Sequence, residues 1–343
     1  MAATESQPRP VSDGSRVTIA DVAGHAGVSP TTVSHVLSGK RLVGAATRDR
    51  VERAVRELGY RPNIVARNLR TRRTQVIAVI VPDITNPFYA VLTRGLADAV
   101  DAAGYGTYVC NTDAKFDREQ KFLEDVLDRG VDGVVLASVD VSQEHLTEPA
   151  RFGTPVVCLG DSHDFPAVDR VVPDDEDGSR AATAHLLSRG ASRIAMISGA
   201  PGAAVARIDG YRKALESAGR TFDPKLVREG GWTRQGGRDA MRALMSERPY
   251  PDAVFCANDL MAIGAMDVVH ELGLSVPDDV ALVGFDDVDA ATLVTPTLTT
   301  VTNPAYDAGR YAGKLLVERM SGDYVDGRRT VVLPCRLVKR QSA

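Results

Sequence analysis

From Gln75 onward, short apolar runs alternate with stretches of helical periodicity, and few architectures accept that pattern. Val76–Val81 is a continuous apolar run closed by Pro82. A strand with no polar face has to be buried on both sides. Residues 88–103 follow with apolar positions three and four apart, which predicts an amphipathic helix. The runs at 105–110, 133–136, 155–159, 193–197, 253–256 and 280–283 repeat the strand pattern with helical stretches between them. Such alternation calls for parallel sheets covered by helices. These strands are too many for one small sheet, so two lobes with a cleft between them are expected. Ligands of parallel sheets bind beyond the carboxyl ends of the strands. Asp83 to Asn86, Asn111 to Asp113, Ser138, Gly160–Asp161, Asn258–Asp259 and Asp286–Asp287 occupy those positions.

The first 74 residues follow another rule. Thr18 precedes Ile19, Ala20, Val22, Ala23 and Ala26 at helical spacing, with Asp21 three residues on, the signature of a capping box. Gly27 closes this helix. Ser29–Pro30 then supplies an N-cap and a first-turn proline for a second helix. Its Val33, Val36 and Leu37 share one face, and Thr31, Thr32, Ser34 and His35 carry donors and acceptors. Two short helices joined by a tight Gly-containing turn form a helix-turn-helix, whose second helix enters the major groove of DNA. A third helix is expected over 47–58, with Val51, Val55 and Leu58 on one face and Gly59 at its end. The expected organisation is therefore a leader (1–15), an all-α head (16–61), a hinge and linker (62–74) and an α/β body (75–343). Within the body, the lobes are taken as 75–173 with 302–331, and 174–301 with 332–343.

The charge follows the same division. Residues 16–74 carry a net +8 and 75–343 a net −11, within an overall −4. A basic head on an acidic body implies a polyanion for the head alone. The N-terminal stretch MAATESQPRPVSDGS has no apolar core and does not read as a secretory signal. No run approaches a membrane span, so a cytoplasmic location with no membrane partner is expected. Cys110, Cys158, Cys256 and Cys335 are far apart, without metal spacing or a disulfide framework, and no metal or cofactor is expected.

The stretch TIADVAGHAGVSPTTVSHVLSGK, followed by TRDRVERAVRELGYRPNIVARNLRTRRT, resembles the head of the lac and galactose repressor family of bacterial transcriptional regulators. PDITNPFY, ARIDGYRKAL, CANDLMAIGAM, VGFDD and PTLTTV resemble its core, which is similar to two-lobed periplasmic sugar-binding proteins. The resemblance implies that Thr18, Ser29, Thr32, Thr47, Tyr60 and Asn63 touch phosphates or support the fold. It implies that Pro30, Thr31 and His35 read bases, His35 standing where most members have Arg. It also implies a hinge helix over 62–69, including Ala66, whose Leu69 wedges into the minor groove. In the body, Arg207, Asn258 and Asp286 would hydrogen-bond a small-molecule effector. Trp232 would offer an aromatic face, and Phe88 and Asp161 further contacts. The partners implied are palindromic double-stranded operator DNA, the effector and a second copy in a homodimer. No heptad tail follows the last strand, so no tetramer is expected.

Two other readings start from the same body. A solute-binding protein without a DNA role would leave the basic head unexplained. A sugar-modifying enzyme would need catalytic groups, but no G-x-S-x-G or H-E-x-x-H occurs. The Gly-rich 198–202 segment lacks the Lys-Ser/Thr of a phosphate loop. Asp286 and Asp287 are neighbours on an extended segment, so their side chains should diverge.

Overall fold

The computed structural model of the chain describes residues 17–39, 41–61, 68, 73–137, 146, 149, 153–160, 168–200 and 204–343. Asn63, Ala66 and Leu69, and with them the expected hinge helix, lie outside the described residues, as do the leader and Asp161. The chain divides into two units, Met1–Arg73 and Thr74–Ala343.

The first unit is a three-helix head: α1 (Ile19–Ala26), α2 (Pro30–Ser38) and α3 (Ala45–Glu57). Thr18 Oγ1 accepts from the Asp21 amide at 3.3 Å, and the Thr18 amide donates to Asp21 Oδ2 at 2.8 Å, a complete capping box. Gly27 ends α1 at φ 62°, a conformation that costs glycine nothing. Ser29 Oγ accepts from the Thr32 amide at 3.1 Å and starts α2. Val22, Ala23, Ala26, Val33, Val51 and Ala54 form the small core, with Val36, Val55, Leu58 and Tyr60 packed around it. Leu37 departs from the expected inward face and is exposed. The third helix begins two residues earlier than its side chains suggest, because the Gly44 carbonyl accepts from the Thr47 and Arg48 amides at 3.0 Å.

The second unit is α/β throughout. Its elements are β1 (Val76–Val81), α4 (Pro87–Asp101), β2 (Gly106–Asn111), α5 (Phe116–Asp128), β3 (Gly133–Leu136), β4 (Val156–Leu159), β5 (Asp169–Pro173), α6 (Asp175–Ser188), β6 (Ile194–Ser198), α7 (Val205–Ser217), β7 (Val227–Glu229), α8 (Arg234–Leu244), β8 (Ala253–Cys256), α9 (Asp259–Glu271), β9 (Ala281–Val283), α10 (Ala290–Leu293), β10 (Thr300–Thr302), α11 (Ala305–Ser321), β11 (Thr330–Leu333) and β12 (Arg336–Val338). One six-stranded sheet runs β11-β5-β4-β3-β1-β2 and a second runs β7-β6-β8-β9, with parallel pairing throughout both. Ile77, Val79, Val81, Leu92, Leu96 and Leu316 centre the core on one face of the first sheet. Met196, Tyr211, Met241, Phe255 and Phe285 centre that of the second.

The chain passes between the two sheets after β5, after β10 and after β11. An antiparallel pairing of β10 with β12 ties two of these crossings together. Ser342 hydrogen-bonds Leu282 and Thr299 and returns the C-terminal segment to the second lobe. Among the described residues no helix is long and apolar enough to cross a membrane.

Candidate functional site

In the head, the start of α2 is the most chemically open surface. Ser29, Pro30 and Thr31 are exposed, while Thr32, Ser34 and His35 are half-buried. Ser29, Thr32, His35, Arg41, Leu42, Val43, Gly44, Thr47 and Arg50 share one hollow of about 610 Å³. That hollow sets hydroxyls and an imidazole beside two guanidinium side chains, the mixture a phosphate-lined groove requires. Thr18 is exposed but committed to its capping box. Tyr60 is half-buried against the head core.

In the body, groups that follow strands of both sheets converge on Arg207, in the first turn of α7. Its Nε donates to Asp175 Oδ2 at 3.0 Å and its Nη2 to Asp175 Oδ1 at 3.3 Å, a two-pronged pairing. Nη1 donates to the Ala257 carbonyl at the end of β8, and Asp286 Oδ1 lies 3.7 Å from it. The guanidinium sits 3.9 Å over the Phe285 ring and 5.3 Å from the centre of the Trp232 ring. Arg207 and Asp286 thus stand in the same lobe, and their approach does not bridge the two. Burial alone would discharge this guanidinium, but Asp175 and then Asp286 outweigh it and hold the charge more firmly than usual.

Asp286 is held in strained backbone, φ 103°, with Asp287 beside it at φ 54°. Its amide donates to the Val301 carbonyl at 2.9 Å, so the strain is clamped by the neighbouring crossing strand. Burial pushes its carboxyl up to about 6 against the pull of Arg207 and of Asn303, whose Nδ2 donates to Oδ1 at 3.0 Å. The other end of that amide, Asn303 Oδ1, is buried with no hydrogen-bond partner. The Asp287 side chain diverges and pairs with Arg340 at 2.6 Å, although both aspartates stand at positive φ and not in the extended backbone expected of them.

Trp232 takes φ 64° in the turn before α8, a second strained residue at the site. Its ring lies against Gly199: a Cβ there would stand 1.9 Å from Trp232 Cζ2. Asn258 caps α9 through Oδ1 to the Met261 amide at 2.8 Å and holds the Trp232 carbonyl through Nδ2 at 3.0 Å. One of its amide hydrogens remains. Asp259, next along, is fully enclosed and accepts from Thr300 Oγ1 and the Val288 amide. Burial, helped by Asp286, raises its carboxyl well above the usual range.

From the first lobe, Phe88 packs at the edge of the core, edge-on to Tyr89 with ring centres 5.2 Å apart. It is Tyr89 whose hydroxyl feels the cluster. Burial raises its pKa, as do Asp286, Asp83 and Asp175, and only Arg207 opposes them. Arg207, Asn258, Asp286 and Trp232 of the sequence set are therefore brought together. Phe88 stands one residue from the side chain that meets them. Asp175, Phe285, Asn303 and Tyr89 complete the cluster and were not singled out. Asp175 carried a usable signal, an acidic residue opening a helix directly after a strand.

The family described as periplasmic binding proteins and sugar binding domain of LacI family matches residues 74–341, and that described as bacterial regulatory proteins, lacI family, matches residues 18–63. Catabolite control protein A of Priestia megaterium is 37% identical over 329 residues, 95% of this chain and 99% of that protein. A transcriptional regulator CelR–cellobiose complex is 35% identical with a TM-score of 0.73, covering 96% of this chain and 100% of that one. A lac repressor dimer bound to operator and the anti-inducer ONPF has a TM-score of 0.84 at 28% identity, covering 96% and 99% of the two chains.

Proposed function

The chain belongs to the lacI family of bacterial regulatory proteins, and from that premise we propose that it is a cytoplasmic, sequence-specific repressor whose grip on a palindromic operator is set by a sugar-like effector held between the lobes. The exposed N-terminal turn of α2 is the observation that carries this reading. Placed in the major groove, it presents Pro30, Thr31 and His35 to base edges, with Ser34 alongside. Thr18, Ser29, Thr32, Thr47 and Tyr60 then lie toward phosphates or hold the helices that reach them, and Asn63, Ala66 and Leu69 continue along the minor groove. Arg207, Asn258 and Asp286 hold the effector's hydroxyls, Trp232 stacks on its ring, and Phe88 and Asp161 add contacts.

A homodimer reads the two half-sites. An apolar groove of about 360 Å³ along α9 and α10, lined in part by Leu260, Ile263, Met266, Leu293 and Val294, suits a second copy. Regulation is linkage. The effector shifts the DNA-binding equilibrium only through its differential affinity for the two states. Tyr89 on one lobe and Asp286 on the other are the groups through which an effector would favour one lobe arrangement. The role is regulatory rather than enzymatic.

Fluorescence anisotropy with genomic fragments tests the reading. A tight band of fragments should compete against bulk DNA, weaken steeply with salt and respond to an effector. Binding that is equal for all fragments at every salt concentration removes the repressor role. His35→Arg should change base preference at one or two positions per half-site, since Arg reads guanine with two prongs and His with one.

A further inference from the structure

We propose that the effector cleft selects a neutral, hydroxyl-rich ligand and excludes phosphorylated sugars. The inference rests on the effector-binding reading above and narrows it to a chemical class. The charge at the centre of the cleft is the reason. Tyr89, reaching in from the first lobe, lies in the field of three carboxylates, Asp286, Asp83 and Asp175, against the one guanidinium of Arg207. Arg207 is not a free cation. Three of its five N–H groups are taken, two by Asp175 and one by the Ala257 carbonyl, and the Phe285 ring centre lies 3.9 Å from it. Arg340, which pairs with the neighbouring Asp287, is held by that carboxylate and by the Leu298 carbonyl.

A phosphate site is built the other way, from unpaired N–H groups on Arg, Lys or a helix N-terminus. One of the helices that open on this cluster, α6, begins with Asp174 as cap and Asp175, Glu176 and Asp177 in its first turn. Asp174 Oδ1 already accepts the Asp177 amide. That end of the helix is closed to an anion.

Two of the groups left open can only accept. Asp286 Oδ2 takes no hydrogen bond among the described residues, and Asn303 Oδ1 is buried without a partner beside it. An ionised carboxylate can only accept, and a lone amide oxygen can only accept. Ligand hydroxyls, which donate, satisfy both at once. The remaining Asn258 hydrogen and the Tyr89 hydroxyl answer the ligand's own oxygens, and the Trp232 face suits the C–H side of a sugar ring. A phosphate dianion in this cluster would lie against like charge and be repelled.

Calorimetry on the full chain with matched pairs tests the proposal. The probes are glucose and glucose 6-phosphate, ribose and ribose 5-phosphate, fructose and fructose 1,6-bisphosphate, with cellobiose alongside. At least one neutral sugar should bind, and its phosphate should bind roughly a hundredfold more weakly or not at all. In the partner whose neutral form binds, Asp286→Asn should narrow that ratio by about tenfold while weakening the neutral sugar. A phosphate that binds as tightly as its parent overturns the proposal, and so does a panel in which nothing binds. Operator binding measured on the same preparation separates the two failures. If it persists, only the ligand assignment is lost, and if no specific DNA binding occurs either, the regulatory reading falls with it.

Discussion

Asp286 Oδ1 lies 3.7 Å from Arg207 Nη1, near enough to be held by its charge and too far for a hydrogen bond. The carboxylate is enclosed at that distance, and burial wins: its pKa rises to about 6. The ligand-free fold therefore carries a charge it would rather not have.

The sign of the consequence is fixed by linkage. A carboxyl whose folded pKa is above its unfolded value of 3.8 takes up protons first in the folded state. Its contribution to stability is fully present below 3.8 and is lost as pH rises through 6. Between pH 7 and pH 5 this one group should add about 1 kcal/mol to the folded state. Urea melts of wild type and Asp286→Asn, taken across that range, isolate it from other titrating groups. The two curves should converge as pH falls, where both side chains are neutral, and separate as pH rises, the difference levelling off above about 6. Parallel curves would mean that Asp286 is solvated and not enclosed.

Trp232 depends on Gly199 having no side chain. A Cβ would overlap the indole at 1.9 Å from Cζ2, and the strained Trp232 backbone, tied to Asn258, cannot retreat. Gly199→Ala should cost about 1–3 kcal/mol of stability by overpacking and weaken effector binding by about tenfold or more. Because Trp232 is the single tryptophan, its emission reports the change directly. An unaltered spectrum and unchanged effector affinity would show that the ring is not confined.

Much of this was legible in the amino-acid order, and the reasons for the gaps are physical. The strands that read clearly, such as β1 and β8, are apolar on both faces. β5 does not, because it opens on Asp169 and Arg170, charges that are buried only because distant residues receive them. β7 is three residues at a sheet edge, and β10 is a threonine-flanked valine whose pairing with β12 depends on the crossing of the lobes. At the site, Arg207, Asn258, Asp286 and Trp232 sit after strands or at helix starts, where topology points. Phe88 and Tyr89 differ by one residue, about 100° around a helix, and only the packing of α4 brings Tyr89 as well into the field of the cluster. Asn303 carries no pattern at all; the return of the chain after β10 brings it to Asp286.

The groove along α9 and α10 leaves Leu293 three-quarters exposed in one copy of the chain. An exposed leucine beside other apolar side chains is stable in water only at some cost, which a second copy would remove. Leu293→Asp should leave the fold of one chain intact, as a substitution of an exposed residue, yet shift the dimer to monomer in sedimentation velocity. Operator affinity should then fall by about tenfold or more, because one head makes half the contacts. A dimer that survives with two aspartates in the groove places the interface elsewhere.

Asp169 holds the far side of the first lobe together. Its carboxylate accepts from Arg319 Nε and Nη2 at 3.0 and 2.8 Å, and from Arg329 at its backbone N, Nε and Nη2 at 2.8, 3.2 and 2.7 Å. Tyr324 stacks on both guanidiniums. The same Arg319 binds the Asp326 and Gly327 carbonyls, so α11, the turn after it and the start of β11 close on one buried oxygen pair. Burial alone would raise this carboxyl, but Arg319 and then Arg329 outweigh it and hold it below the usual range. A lowered pKa stabilises the fold above the unfolded value and is lost as pH falls through the folded one. Asp169→Asn keeps the shape and removes the charge, leaving two guanidiniums facing a neutral amide. Losing one member of a buried pair costs about 3–5 kcal/mol, and the variant should also lose the acid limb of the stability curve that Asp169 supplies. Effector affinity measured where the variant is still folded should be unchanged, since the clasp is remote from Arg207. A loss below about 1 kcal/mol, the value of an exposed pair, would mean that water already reaches Asp169.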